Sequence, residues 1–327
     1  MKRVSILIPQ GAILGSVEGP RQVLTEVNKL LQSQGKPALF DVKLVGLNRE
    51  VAVAGGKYTV FTDALIGDVQ RTDLIIIPAV DGNLPQAIES NRAFLPWISE
   101  HYERGAEVGS LCVGAFLLAS TGLLNGRQCA THWMAAREFR QLFPAVELVE
   151  DRIITDEQGL YSSGGAFSYL NLILYLIEKY AGRQVAIFMS KAFQIEIERK
   201  SQSPFIIFHG QKDHGDEVII RAQEYIEQNV AERITVDELA DQLALSRRNL
   251  ERRFRKATAN SVVEYVQRVK IEAAKMSLES SRENVNEVMY SVGYSDPKAF
   301  RLTFRKITGL SPLEYRQKYN RDVMAEA

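Results

Sequence analysis

Residues 254–265 read FRKATANSVVEY and residues 304–315 read FRKITGLSPLEY. The segments just upstream align as well, VDELADQLALS from Val236 against VNEVMYSVGYS from Val285, so two copies of one supersecondary unit lie about fifty residues apart. Each copy has helix-turn-helix grammar. In the first, Val236, Leu239, Ala240 and Leu243 place small and apolar residues at helical spacing, Ala244-Leu245 makes the turn, and Ser246 is placed to cap the next helix by accepting a backbone N–H. In the second, Val285, Val288, Met289 and Val292 make the first helix and Gly293-Tyr294 the turn. Ser295 or Asp296 is its cap, and Pro297 falls in the first helical turn, where no N–H is needed.

The faces of the second helices follow from spacing. Leu250 and Phe254, like Phe300 and Phe304, sit four apart and face the core. The opposite face presents Arg247, Arg248, Glu251, Arg252 and Arg255 in the first copy, and Pro297, Lys298, Arg301, Leu302 and Arg305 in the second. Such a helix fits the major groove, where Arg or Lys donates to guanine O6 and N7 and Glu accepts from cytosine N4. Arg255, Lys256, Arg305 and Lys306 lie toward the helix ends and suit phosphate contacts, which set affinity and salt dependence. For one isolated helix a solvated basic face is the competing reading. Two copies joined by the helical stretch Ser261 to Ser280 shift the balance, because a rigid connector lets both reach successive grooves about 34 Å apart.

Charge supports this locally. The chain carries 40 Lys and Arg against 40 Asp and Glu, and from Glu217 onward 19 against 17. Between Arg247 and Lys256, however, six basic residues face one acid, Glu251. With 327 residues, 46% hydrophobic and 24% charged, the composition is that of an ordinary globular chain of two domains. The apolar run after Met1-Lys2-Arg3 stops at Pro9 and Gly11, too short for a signal-peptide core or a membrane span. The two cysteines, Cys112 and Cys129, make neither a disulfide framework nor a zinc set, so a cytoplasmic location is expected.

The first two-thirds alternate short apolar runs with helical periods, the pattern of a mostly parallel, flavodoxin-like α/β sheet with helices on both faces. Strands are predicted near Val4 to Pro9, Phe40 to Leu47, Leu74 to Pro78, Glu107 to Leu111 and Gln128 to Thr131. Helices are predicted over Gly19 to Gln34, Asn91 to Arg104, Val113 to Thr121 and Trp133 to Phe143, and a buried helix over Ala166 to Tyr180. The domains read as 1–205, a linker at 206–216, and an all-α domain with two helix-turn-helix units at 217–327. His209 and His214 fall in that linker with no acidic or cysteine partners at metal spacing, so they are expected to face solvent, and no metal or cofactor is assigned.

EVGSLCVGAFLLASTGLL, from Glu107, is a strand entering a tight turn at Cys112 and then a helix, the arrangement of a nucleophile elbow. A thiol at a helix N-terminus is expected to have a lowered pKa. His132, within Ala130-Thr131-His132-Trp133, follows a predicted strand and could approach it, although a histidine before a tryptophan is often simply packed. Three readings of Cys112 stay open: a small residue at a tight elbow, a member of a ligand pocket, or a reactive thiol. The pocket reading gathers Gly11, Glu18, Gly82, Val113 and His132 with Cys112, since open α/β sheets bind ligands outside the strand carboxyl ends.

Two resemblances follow from these motifs. ELADQLALSRRNLERRF from Glu238 and VGYSDPKAFRLTFRKITGLSPLEYR from Val292 resemble the AraC family of transcription regulators, which implies two recognition helices per monomer. Its base-reading positions fall on Arg248, Glu251 and Arg252, and on Pro297, Lys298 and Leu302; Leu302 departs from the polar residue often found there. ILIPQGAILGSVEGPRQVL from Ile6, the Cys112 elbow with His132, and YSSGGAFSYLNLILYLIEKYAG from Tyr161 resemble the glutamine-amidotransferase-like superfamily, in the branch of PfpI-type proteases and DJ-1-type stress proteins.

The two together look like a group of regulators whose better-understood members respond to arginine, carnitine or glycine betaine. The resemblance implies double-stranded DNA and a small effector as partners, a homodimer through the first domain, RNA polymerase as a further contact, and no membrane. Two departures bear on enzymatic activity. Ser16 stands where the reactive branch has a carboxylate, with Glu18 out of register, and Ala79-Val80-Asp81-Gly82-Asn83 replaces the glycine pair of its oxyanion hole. The function expected is ligand-controlled DNA binding rather than catalysis, with Cys112 and His132 the only catalytic candidates and a cysteine-dependent amidase or hydrolase the alternative.

Overall fold

The computed structural model describes residues 1–197, 201–210, 212 and 214–320, in two compact units, Met1–Gln202 and Ser203 onward. In the first unit the chain runs β1 (Lys2–Ile8), α1 (Leu14–Ser33), β2 (Phe40–Gly46), β3 (Glu50–Val53), β4 (Tyr58–Phe61), β5 (Ala64–Leu65), β6 (Leu74–Ile77), α2 (Leu84–Ser90) and α3 (Phe94–Glu103). It continues through β7 (Glu107–Leu111), α4 (Ala115–Ser120), β8 (Gln128–Cys129), α5 (Ala136–Leu142), β9 (Glu147–Leu148), β10 (Ile154–Glu157), β11 (Leu160–Ser163), α6 (Tyr169–Ala181) and α7 (Arg183–Phe193). Seven strands form one sheet in the order β10-β11-β7-β6-β1-β2-β5, parallel except for β10, which runs antiparallel to β11.

The sheet is buried on both faces, and its central strand β6 is apolar at every position. Along β6, Leu74 and Ile76 face a core with α1, α6 and α7, while Ile75 and Ile77 face a second core with α3, α4 and α5. That alternation fixes the register: a slip of one residue would exchange the two cores.

Three expectations need correction. The segment predicted as a strand at Gln128 to Thr131 is not part of the large sheet; β8 pairs with β9 in a ribbon of two, and β11 lies beside β7 instead. Serines in β11 obscured its reading, but Ser162 is buried with its hydroxyl accepting from the Ala130 N–H at 2.7 Å and bonded to Thr155 Oγ1 at 2.5 Å. The helix predicted from Asn91 starts at Phe94, because buried Asn91 instead grips the loop after β1, accepting from Gln10 N at 2.8 Å and donating to Gln10 O at 3.0 Å. The long apolar stretch enters its helix only at Tyr169, and α7 follows it as a helix that periodicity did not mark.

The second unit contains α8 (Glu217–Gln228), α9 (Val236–Gln242), α10 (Arg247–Thr258), α11 (Val262–Ser280), α12 (Val285–Ser291), α13 (Pro297–Thr308) and α14 (Pro312–Tyr319). The sequence repeat is a structural repeat. Thr235 with Glu238 and Asn284 with Glu287 form capping boxes on α9 and α12, and Ser261 with Glu264 and Ser311 with Glu314 do so on α11 and α14. Thr258 and Thr308 each donate back to the carbonyl four residues earlier, at 2.8 Å, closing α10 and α13 alike.

Much of the predicted linker packs within this unit. Phe208 joins the core around Tyr265 and donates its N–H to Glu272 at 3.1 Å, and the Ile206 carbonyl accepts from Lys275 Nζ at 2.7 Å. His214, expected to face solvent, is half-buried, with Nε2 bonded to Gln223 Oε1 at 2.9 Å and Nδ1 accepting from Asp216 N at 3.1 Å; His209 is exposed.

Candidate DNA interface and effector site

Helices α10 and α13 turn the same faces inward and outward. Leu250, Phe254 and Thr258 are buried in one and Phe300, Phe304 and Thr308 in the other. Exposed on α10 are Arg247, Arg248, Glu251, Arg252, Arg255 and Lys256, and on α13 Lys298, Arg301, Leu302, Arg305 and Lys306, with Pro297 half-buried. Side-chain oxygens of Ser246 and Asp296 cap their N-termini, accepting from Asn249 N and from Lys298 N and Ala299 N. The predicted residues thus stand on one face of each helix.

They are not all equally disposed. Arg247 pairs with Asp237 at 3.0 Å and with Glu251 at 3.2 Å, and such exposed pairs are weak enough, about 0–1 kcal/mol, to yield to a phosphate or a base. Arg252 donates to Asn249 Oδ1 at 2.9 Å. Arg253 turns inward, donating to both carboxylate oxygens of Asp216, the cap of α8, and this hydrogen bond holds the Asp216 carboxyl below the usual carboxylate range. His214, Asp216, Asn249, Arg252, Arg253 and Lys256 border a hollow of about 500 Å³ beside α10. Leu302, 62% exposed amid cations, offers an apolar contact of the kind that a thymine methyl group takes.

One helix carries both halves. Val262, Tyr265, Val266 and Val269 of α11 belong to the core with α9 and α10, and Ile271, Ala274 and Leu278 to the core with α12 and α13. Lys270 sits between the two sets and is buried. Its Nζ donates to the carbonyls of Val230 at 2.6 Å, Glu232 at 2.9 Å and Val292 at 2.8 Å, tying both halves to α11. With 19 residues α11 is about 28 Å long, comparable to one turn of duplex.

In the first unit, Gly11, Gly82, Cys112, Val113 and His132 follow β1, β6, β7 and β8, and the first four gather outside the carboxyl ends of the parallel strands. Cys112 is the elbow, in the left-handed region at φ 54°. An alanine-like backbone in that region costs roughly 1–2 kcal/mol and persists where the surroundings enforce it. Here Cys112 N donates to Ser163 Oγ at 3.4 Å, and Thr131 Oγ1 donates to the Cys112 carbonyl at 3.0 Å.

The chemistry of the thiol is the reverse of the expectation. Burial pushes Cys112 up to about 11, with only the Val113 N–H opposing it, because the side chain is enclosed and the elbow leads into a short 3-10 turn. Burial lowers the His132 pKa, and its Nδ1 accepts from Met134 N at 3.2 Å. Ser16 is buried and structural: its hydroxyl donates to Ile13 O at 2.7 Å and accepts from Ala79 N at 3.0 Å. Asp81 N is likewise used, donating to Gly11 O at 2.8 Å, and Glu18 is paired with Arg21 through two bonds of 2.6 Å.

Asn91, Thr131, Ser163 and Gln202 also shape this end of the sheet, and no local pattern marks them, since each acts on a residue remote in sequence. Ile13, Met134 and Phe167 are exposed apolar residues, Ile13 just after β1, Met134 just after β8 and Phe167 just after β11. Among the described residues no group of three or more His, Cys, Asp or Glu is placed to hold a metal ion, and no helix is long and apolar enough to cross a membrane.

Comparison with known proteins gives two family matches, the DJ-1/PfpI family over residues 2–179 and a helix-turn-helix domain over residues 239–318. The HTH-type transcriptional regulator GbdR of Pseudomonas aeruginosa is 27% identical over 249 residues, 73% of this chain and 67% of its own length. The HTH-type transcriptional regulator CdhR of the same species is 24% identical over 269 residues, 81% of this chain and 78% of its own. An AraC family transcriptional regulator from Pseudomonas putida superposes with a TM-score of 0.50 at 17% identity, over 59% of this chain and all of that structure, a likeness of fold alone.

Proposed function

The chain belongs to the DJ-1/PfpI family and ends in an AraC-type helix-turn-helix domain, and from that premise we propose that it is a sequence-specific DNA-binding transcription regulator governed by a small metabolite bound in its first unit. The observation that carries this reading is the duplicated cationic face of α10 and α13, fixed to a single connecting helix by Lys270. Arg248, Glu251 and Arg252 on α10, and Pro297, Lys298 and Leu302 on α13, are the proposed base readers. Arg255, Lys256, Arg305 and Lys306 take the phosphate backbone, and Arg247 and Arg301 lie on the same faces.

The proposed effector site is the loop cluster of Gly11, Glu18, Gly82, Cys112, Val113 and His132. A thiol whose pKa burial raises, beside an imidazole that burial makes a weaker base, favours binding over nucleophilic attack. An effector acts by preferring one arrangement of the protein over another, and pairing of two copies through the first unit would let it bias where two DNA-binding units fall.

The test uses a duplex selected from random sequence by the full chain. Arg252→Ala and Lys298→Ala are expected to lose about 1–3 kcal/mol of discrimination between that duplex and a random one, with similar residual non-specific binding. Equal weakening on both duplexes, with a salt slope reduced by about one, would recast the two residues as phosphate contacts. No selection of any duplex would end the reading.

A further inference from the structure

We propose that Gln202 couples the effector site to the DNA-binding unit: its side-chain amide bolts the chain leaving the first unit to the wall of that site. The inference rests on the reading of the first unit as an effector domain and adds the residue that carries the message.

Gln202 is the last residue of the first unit and only 1% exposed, an unusual burial for a glutamine next to a domain boundary. Its Nε2 donates to the Thr131 carbonyl at 3.1 Å and to the Arg152 carbonyl at 3.2 Å. Its own N–H donates to Asp151 O at 2.9 Å, and Ser201 bridges to Arg152. Thr131 is the informative partner: it precedes His132, and its hydroxyl holds the Cys112 carbonyl. The exit of the chain is therefore two hydrogen bonds from the elbow.

On its other side the amide presses into the turn after β11. A Cβ on Gly164 would lie 2.3 Å from Gln202 Nε2 and 2.8 Å from its Cδ, although the backbone of Gly164 is not left-handed. A side chain at residue 164 would therefore have to displace this amide. Finally, Gln202 Oε1 is buried and has no hydrogen-bond partner, and with Nε2 committed to two carbonyls the amide cannot be turned to relieve it. An acceptor enclosed without a donor penalises the arrangement that encloses it, so any alternative that brings an N–H or O–H to this oxygen is favoured. An effector carrying such a donor, or one that displaces the Thr131-His132 step, would draw on that imbalance and loosen the exit. A device of this kind reads occupancy without a long pathway.

Linkage is reciprocal, so DNA must act back on the same cluster. The test is hydrogen exchange of the full chain with and without the selected duplex. In the wild type, exchange at residues 129–132, 162–165 and 201–203 is expected to change by about threefold or more on DNA binding, while β1 and β6 stay unchanged. Gln202→Met keeps the bulk and removes the donors; it should bind the same duplex without that response. Gly164→Ala, which displaces the amide without deleting it, gives the same outcome by a second route should the first variant fold poorly. A full response in either folded variant, or a wild type that binds DNA with these amides unmoved, overturns the proposal. A wild type that selects no duplex sinks the DNA-binding reading itself, which separates the two failures.

Discussion

Replacing Lys270 by methionine removes the ammonium that ties the two helix-turn-helix halves to α11 while keeping most of the side-chain volume. Its three acceptors are Val230 and Glu232, between α8 and α9, and Val292, the C-cap of α12, and the residue is 7% exposed. Hydrogen bonds from a charged donor contribute roughly 1.5–3 kcal/mol each, against which burial of the ammonium costs several kcal/mol. That cost is visible in the Lys270 pKa, which burial holds below its ordinary value. Removing the ammonium leaves three carbonyls without their donor at about 1–3 kcal/mol each, and the relief of the ammonium's own burial cost and the packing of methionine recover part of it, so about 3 kcal/mol is expected.

For a unit of this size that is a fall of roughly 10–15 °C in the melting midpoint of the second unit, read by calorimetry on the full chain, with the first unit unmoved. DNA binding supplies an independent reading. Once the halves are no longer held in register, affinity for a duplex carrying both half-sites should fall about tenfold or more, while affinity for a single half-site changes little. A midpoint within 2 °C of wild type, the scale of well under about 1 kcal/mol, would refute the assignment of Lys270 as the tie.

Three further outcomes follow from particular residues. Gly293 turns at φ 73° and a Cβ there would meet the Ala231 carbonyl at 2.2 Å, whereas Ala244 makes the equivalent turn at φ 53° in the first copy. In urea denaturation Gly293→Ala is expected to cost more than about 2 kcal/mol and Ala244→Gly to gain about 0.5–1 kcal/mol; equal effects would mean the two turns are not equivalent. His101, buried and 4.3 Å from the Trp97 ring, has its pKa lowered by burial. Below about pH 6.5 the unfolded chain binds a proton that the folded one refuses, so the first unit loses stability as pH falls from there toward the folded value and loses none above it. His132, lowered by the same cause, adds in the same direction, and His101→Phe should flatten the slope of midpoint against pH by His101's share; an unchanged slope disproves the assignment. Iodoacetamide at pH 7 should label Cys112 at least about tenfold more slowly than an unhindered thiol, because little thiolate is present and the side chain is enclosed, and rapid labelling would restore acyl transfer as a reading.

The second unit was legible because its signals are local. Caps, turns and the apolar stripe of each helix lie within a few residues of what they act on, and duplication printed them twice. The central strands were legible for a related reason, their apolar runs needing no partner to be recognised. What escaped was polar and long-range. No strand is predicted at β11, whose Ser162 and Ser163 bond to Ala130 and Cys112, and Lys270 and Gln202 carry no signal until carbonyls far along the chain enclose them. The thiol of Cys112 failed differently: its place was read correctly and its chemistry wrongly, since the argument from a helix N-terminus assumed a side chain open to water, and enclosure overrides that field.

Acyl transfer at this elbow would need a thiolate, a base and two N–H groups free to receive an oxyanion. Two N–H groups after β6 are committed instead to holding one loop to another. Ala79 N is taken by Ser16, Asp81 N by Gly11, the Cys112 carbonyl by Thr131, and Thr131 in turn by Gln202. Loops bonded in series cannot be displaced singly; a ligand that pushes on one must shift the next, and the last of them is the chain that leaves the unit. On the proposed reading, the same bonds that occupy these donors give the elbow mechanical reach, which a sensor can use.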